Sequence, residues 1–97
     1  MTLSALNNLG VALAKRCEFD EAEVLYRQAL AGRERALGRS NPETLVSVFN
    51  LATLLLKSGD YDAAGPLFER ALAGFEHGLG SNNEYVKMCR HALEIIK

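Results

Sequence analysis

Two histidines, two cysteines and a short acidic run are the side chains of this sequence whose chemistry could go beyond packing. His77 and His91 could serve as general bases or metal ligands, Cys17 and Cys89 as nucleophiles, Asp60 and Asp62 as oxygen ligands for a hard cation. None of them has the company that such chemistry needs. Neither histidine has a serine or cysteine at a fixed spacing that it could activate. Asp60-Tyr61-Asp62 lacks the further ligands and the glycine of a calcium loop. The cysteines and histidines do not have zinc spacing, and no glycine-rich run is present to cradle a phosphate. The two thiols lie far apart in the sequence. They form no disulfide framework and read as small apolar residues of a reducing compartment. These residues point to no enzyme, no cofactor and no metal, which leaves noncovalent binding.

The totals narrow the kind of partner. Ninety-seven residues make one domain or part of one. With 48% hydrophobic residues and only two prolines, the chain is not a disordered tail. Eleven basic against 12 acidic residues give a net charge of −1, so no general attraction to nucleic acid or to acidic membranes is expected. Unbroken apolar runs are as short as Leu54–Leu56, whereas a membrane-spanning helix needs about 20 residues. The N-terminus has no basic stretch followed by an apolar one, so no signal peptide is read and a cytoplasmic location is expected.

The elements that would position a binding surface show themselves as a repeat. Thr2 to Leu13 reads TLSALNNLGVAL, and Thr44 to Leu55, 42 positions on, reads TLVSVFNLATLL. Sliding residues 2–41 onto 44–83 without a gap makes 17 of 40 positions identical, where unrelated segments would share roughly three. A fixed period of this size is the signature of stacked repeats. Within each unit, large apolar residues recur at helical spacing around a small one: Leu6, Leu9 and Leu13 around Gly10, then Val48, Leu51 and Leu55 around Ala52.

The first helix of unit one is expected from about Thr2 to Lys15, followed by a turn over Arg16–Phe19. In unit two that turn is Ser58-Gly59-Asp60, where Gly59 can take the left-handed conformation and Asp60 can cap the next helix; Cys17 occupies the glycine's place in unit one. The second helix of unit one is expected from about Asp20 to Leu37. Its apolar stripe includes Ala22, Leu25, Tyr26, Ala29 and Leu30, with Glu23 and Arg27 paired on the wet side. Unit two repeats the stripe with Ala64, Leu67, Phe68, Ala71, Leu72 and Phe75. There Gly65 and Pro66 weaken the start, and Pro66 matters most if it falls beyond the first turn. In the linker, Asn41 is a good N-cap and Pro42 a good first helical residue. The last stretch reads as a third first-helix with one residue dropped, so that Val86, Cys89, Leu93 and Ile96 match Leu45, Val48, Ala52 and Leu55. Lys87, Arg90, His91, Glu94 and Lys97 gather on its wet side, as the end of a solenoid requires.

On these residues the chain resembles the tetratricopeptide repeat family. The pattern large–x–x–Leu–small–x–x–large, then Ala–x–x–x–aromatic, then Ala, falls on Leu6, Leu9, Gly10, Leu13, Ala22, Tyr26 and Ala29. In unit two it falls on Val48, Leu51, Ala52, Leu55, Ala64, Phe68 and Ala71. The 42-residue period, with LNNLG, EAEVLYRQAL, RERALG and SNPET, is similar to the longer-helix variety typical of kinesin light chains and nephrocystin-3-like scaffolds. The resemblance implies an all-α fold, a right-handed α-solenoid of antiparallel helix pairs. It would form one domain over 1–97, with repeat one at 2–41, repeat two at 42–83 and a capping helix at 84–97.

The resemblance also implies a concave wall built from the first helices. On that wall the candidate peptide-binding residues are Asn7, Val11, Lys15, Phe49, Thr53, Leu56, Lys57 and Arg90, with Lys87 and Glu94 beside Arg90. Phe49 lies off the main apolar stripe and has two readings, an anchor exposed in the groove or a side chain packed on a neighbouring helix. Lys15, Lys57, Arg90 and Lys97 would give the wall a positive rim for an acidic peptide, or are a solvated charged face. The repeated Asn8 and Asn50 bond either between helices or to a ligand backbone. A carboxylate clamp for chaperone tails is not expected, since Val11 and Thr53 hold two of its positions. Two functions remain: a non-catalytic module that binds a protein or peptide in the groove, or a structural repeat unit that stacks or self-associates into a homo-oligomer through uncovered ends.

Overall fold

The structure, a computed structural model, describes residues 18–80 and 82–96 and, within them, every side chain but that of Leu79. The expected first helix, with Gly10 and Cys17, lies outside the described residues. Four helices fill the rest: α1 Phe19–Leu37, α2 Pro42–Ser58, α3 Tyr61–Leu79 and α4 Glu84–Ile96. Each packs on the next in chain order. Connections of two to four residues reverse the chain between them, so neighbours run antiparallel. Among the described residues there is no strand, and the fold is an all-α solenoid.

Local chemistry sets the helix ends. Asn41 takes an extended conformation and its side chain accepts the Glu43 N–H at 2.9 Å, while Pro42 opens α2 without wasting a donor. At the other end Gly59 is left-handed with φ 90° and ψ 4°. Its N–H reaches the Leu56 carbonyl at 3.1 Å and the Asp60 N–H reaches Leu55 at 2.9 Å, the paired bonds of a Schellman ending. Asp60 then caps α3 by accepting the Ala63 N–H. Both expectations for this turn hold. Pro66 is the sixth residue of α3, past the first turn, where its missing N–H removes the bond that the Asp62 carbonyl would otherwise accept.

The α4 start corrects the expected alignment. The Asn83 side chain accepts the Tyr85 N–H at 2.8 Å, as Asn41 does for Glu43. Asn83 therefore stands at the place of Asn41, 42 residues on, and no residue is dropped. Val86 and Cys89, both fully buried, correspond to Thr44 and Ser47 rather than to Leu45 and Val48. The positions held by buried Leu45, Val48 and Ala52 in α2 are held in α4 by exposed Lys87, Arg90 and Glu94.

α2 is the central helix, with nine buried residues among its 17. One flank, with Thr44 and Ser47, faces α1, where the Arg33 guanidinium donates to the Ser47 hydroxyl. Another flank, with Leu45 and Val48, faces α3. The approach there is closest at Gly74, where a β-carbon would meet Leu45 Cδ1 at 2.5 Å and Cγ at 3.2 Å. Glycine is thus needed for space, and the same residue recurs as Gly32 one period earlier. Between the second-helix positions, the Arg70 guanidinium donates to Glu34 at 2.7 Å and ties α3 to α1.

Three stability effects follow. Gly74→Ala is expected to lower unfolding stability by about 1–2 kcal/mol, because Leu45 is buried and must move. Gly78→Ala, in the same helix with nothing near its β-position, should raise it by about 0.5–1 kcal/mol; urea titration of both variants checks the opposed signs. The Thr44 hydroxyl is buried without a hydrogen-bond partner among the described residues, and Val86 holds the same position in α4. Thr44→Val should therefore stabilise by about 1 kcal/mol, read as a higher urea midpoint.

Candidate functional site

The first helices of consecutive units, α2 and α4, flank a trough whose floor is aromatic. Phe49 stands edge-on to Phe68, with ring centroids 6.0 Å apart, and edge-on to Tyr85 at 5.3 Å. Tyr85 in turn stacks on Phe75 at 4.8 Å with an interplanar angle of 17°. Edge-to-face and offset contacts of this kind follow the ring quadrupoles and hold the rings in one arrangement. Phe49 is only 8% exposed. It is therefore a packed side chain and not an exposed anchor; only its rim reaches the trough.

Above that floor lies a hollow of about 370 Å³ lined by Phe49, Thr53, Leu56 and Phe68 on one side and by Lys87, Met88, His91, Ala92 and Ile95 on the other. A second hollow of about 320 Å³, lined by Phe49, Asn50, Glu84, Tyr85 and Met88, adjoins it through Phe49 and Met88. Met88 and Ile95 are 50% and 53% exposed, large apolar side chains that the fold leaves half uncovered.

The sequence-derived site residues separate into three groups. Phe49, Thr53 and Leu56 meet at the hollow. The Thr53 hydroxyl is already committed, since it donates to the Phe49 carbonyl at 2.9 Å. Lys57 is exposed in the last turn of α2, next to Leu56 but outside the lining. Arg90 points elsewhere: its guanidinium donates to Glu76 of α3, and Glu94 is likewise absent from the lining. Asn7, Val11 and Lys15 lie outside the described residues.

The α4 wall lies one residue on from the positions expected from the sequence. With Asn83 at the place of Asn41, the positions matching Val46, Phe49 and Thr53 are Met88, His91 and Ile95, not Lys87, Arg90 and Glu94. The signal that finds them is the repeated N-cap asparagine. Asn50 is half-buried and engaged within the fold.

Cys89 is fully buried on the inner face of α4, and burial pushes its thiol up to about 11, so it is protonated at neutral pH and a poor nucleophile. Burial likewise raises the Tyr26 phenol above its ordinary value. Among the described residues no three His, Cys, Asp or Glu side chains cluster as metal ligands. No helix among them is long and apolar enough to cross a membrane.

Because Phe49 belongs to the floor, Phe49→Ala is expected to cost about 3–5 kcal/mol of stability, measured as a lower urea midpoint, whether or not any ligand is present.

No curated protein matches the chain. The pattern of the tetratricopeptide repeat, whose members are generally protein-interaction modules, matches residues 1–77. That span contains α1, α2 and all but the last two residues of α3, with the small residues Ala22, Ala52, Ala64 and Ala71 buried in the core. On both grounds the chain belongs to the tetratricopeptide repeat family.

Proposed function

We propose that this chain is a non-catalytic interaction module that takes a peptide segment of a partner protein into the trough between α2 and α4. The observation that carries the reading is the pair Met88 and Ile95, half exposed on the apolar wall of a hollow of about 370 Å³. Covering each of them fully would contribute about 1 kcal/mol or more. Lys87 on the lining and Lys57 beside it have no carboxylate partner among the described residues. They suit a segment that carries acidic side chains next to its apolar ones.

Two finer readings accompany this one. The period of 42 and the 19-residue second helices α1 and α3 fit the longer-helix variety of kinesin light chains and nephrocystin-3-like scaffolds. The exposed Lys87, Arg90 and Glu94, at places that face a second helix in the preceding unit, fit α4 as the cap of the stack. A cytoplasmic setting, in which a free thiol such as Cys89 persists, agrees with both.

A peptide array on the parent chain and its variants tests the reading. Met88→Glu and Ile95→Glu should each weaken the bound peptides about tenfold, while Val24→Glu, at an exposed apolar residue of α1, should not. Lys57→Glu should give a smaller loss for acidic peptides that fades with added salt. Peptides that hold both trough variants as tightly as the parent would show that the trough is unused. Sedimentation that depends on concentration and is abolished by Met88→Glu would put a second copy of the chain there instead.

A further inference from the structure

We infer that the segment received by the trough enters as an α-helix of about three turns and not as an extended strand; the inference rests on the interaction reading above. The two hollows run together along α4 from Tyr85 to Ile95. Ten helical residues span about 15 Å. That length accommodates about five residues of extended chain or about ten of helix.

The walls decide between them. Five extended residues carry about ten backbone N–H and C=O groups, and about half of these face the walls. The walls have little to offer them. The backbones of α2 and α4 are used up in their own helical bonds, and the trough has no sheet edge to which a strand could add. Of the side chains that line the middle, the Thr53 hydroxyl already donates to Phe49 and Asn50 is engaged within the fold. Lys87 and His91 are exposed and stand where water reaches them. Apart from Glu84 and Tyr85 at the Tyr85 end, the remaining surface is apolar. Each backbone polar group pressed against it without a partner opposes binding, and several would have to be.

A helix closes its own backbone bonds and presents only side chains. Met88, Ala92 and Ile95 form a ridge at i, i+4 and i+7 on α4, which suits a partner ridge of the same spacing. Hollows on either side of Met88 receive apolar side chains about one turn apart. Lys87 is left to meet an acidic residue on the flank of the incoming helix.

The probes are two displayed libraries of twelve-residue peptides, selected on the full chain and counter-selected on Met88→Glu. One library spaces its apolar residues three and four apart among Glu, Ala and Gln. The other alternates apolar and polar residues around a central proline. The expected result is that Met88-dependent binders come from the first library, gain helical circular dichroism on binding, and weaken at least tenfold when a proline replaces their central residue. Met88-dependent binders of equal affinity from the second library would overturn the helical inference while leaving the trough as the binding site. Failure of both libraries to yield any Met88-dependent binder would remove the trough reading and this inference together.

Discussion

The aromatic contact between Phe49, Phe68, Phe75 and Tyr85 is the constraint on which the trough depends. These four rings come from α2, α3 and the start of α4. They fix how far apart two first helices stand while their shared second helix fills the space beneath. Each aromatic contact contributes about 0.5–1.5 kcal/mol beyond its buried area, and together they set a floor on which smaller side chains such as Ala92 leave room. The trough is thus a by-product of bulky rings below and short side chains above. Its shape is set by the core, and its chemistry by the few residues at its rim.

The same 42-step repeat produces two different helices at equivalent places. α2 is apolar on nearly every side because it has neighbours on nearly every side. α4 keeps the flank that faces backwards, with Val86, Cys89 and Ala92 buried, and turns Lys87, Arg90 and Glu94 to the place where α2 meets α3. Arg90 then spends its charge on Glu76, a half-exposed pair that adds little to stability. Between these flanks Met88 and Ile95 are neither core nor charged surface, which is why the proposed binding face rests on them.

Much of this was legible in the sequence because it is governed by near neighbours. The Asn41–Pro42 start and the Gly59–Asp60 turn each depend on residues within one helical turn, and both are legible from them. The α4 alignment was not, for a physical reason. α2 carries two apolar flanks, one with Thr44, Leu51 and Leu54 and one with Leu45, Val48 and Leu55. The single apolar flank of α4 matches either by hydrophobicity alone. Only the cap made by Asn83 distinguishes them, and choosing the wrong flank moved the expected wall from Met88, His91 and Ile95 to their charged neighbours. Phe49 was undecidable for another reason: its partners Phe68 and Tyr85 lie 19 and 36 residues on, and no local pattern announces a contact at such separations.

The two junctions between a second helix and the first helix that follows it, α1 with α2 and α3 with α4, are unlike in kind. Towards α1 the meeting is polar, with the Arg33 guanidinium on the Ser47 hydroxyl; one period later the corresponding residues are Phe75 and Cys89, buried and without polar bonds. In a stack whose cohesion is summed over neighbours, such inequality gives the array a direction in which it unzips. Water competes for the Arg33 bond and not for the ring stack, so on this difference α1 is expected to detach before α2, α3 and α4 separate. The proposed binding surface is carried wholly by that trio, so detachment of α1 would leave it standing.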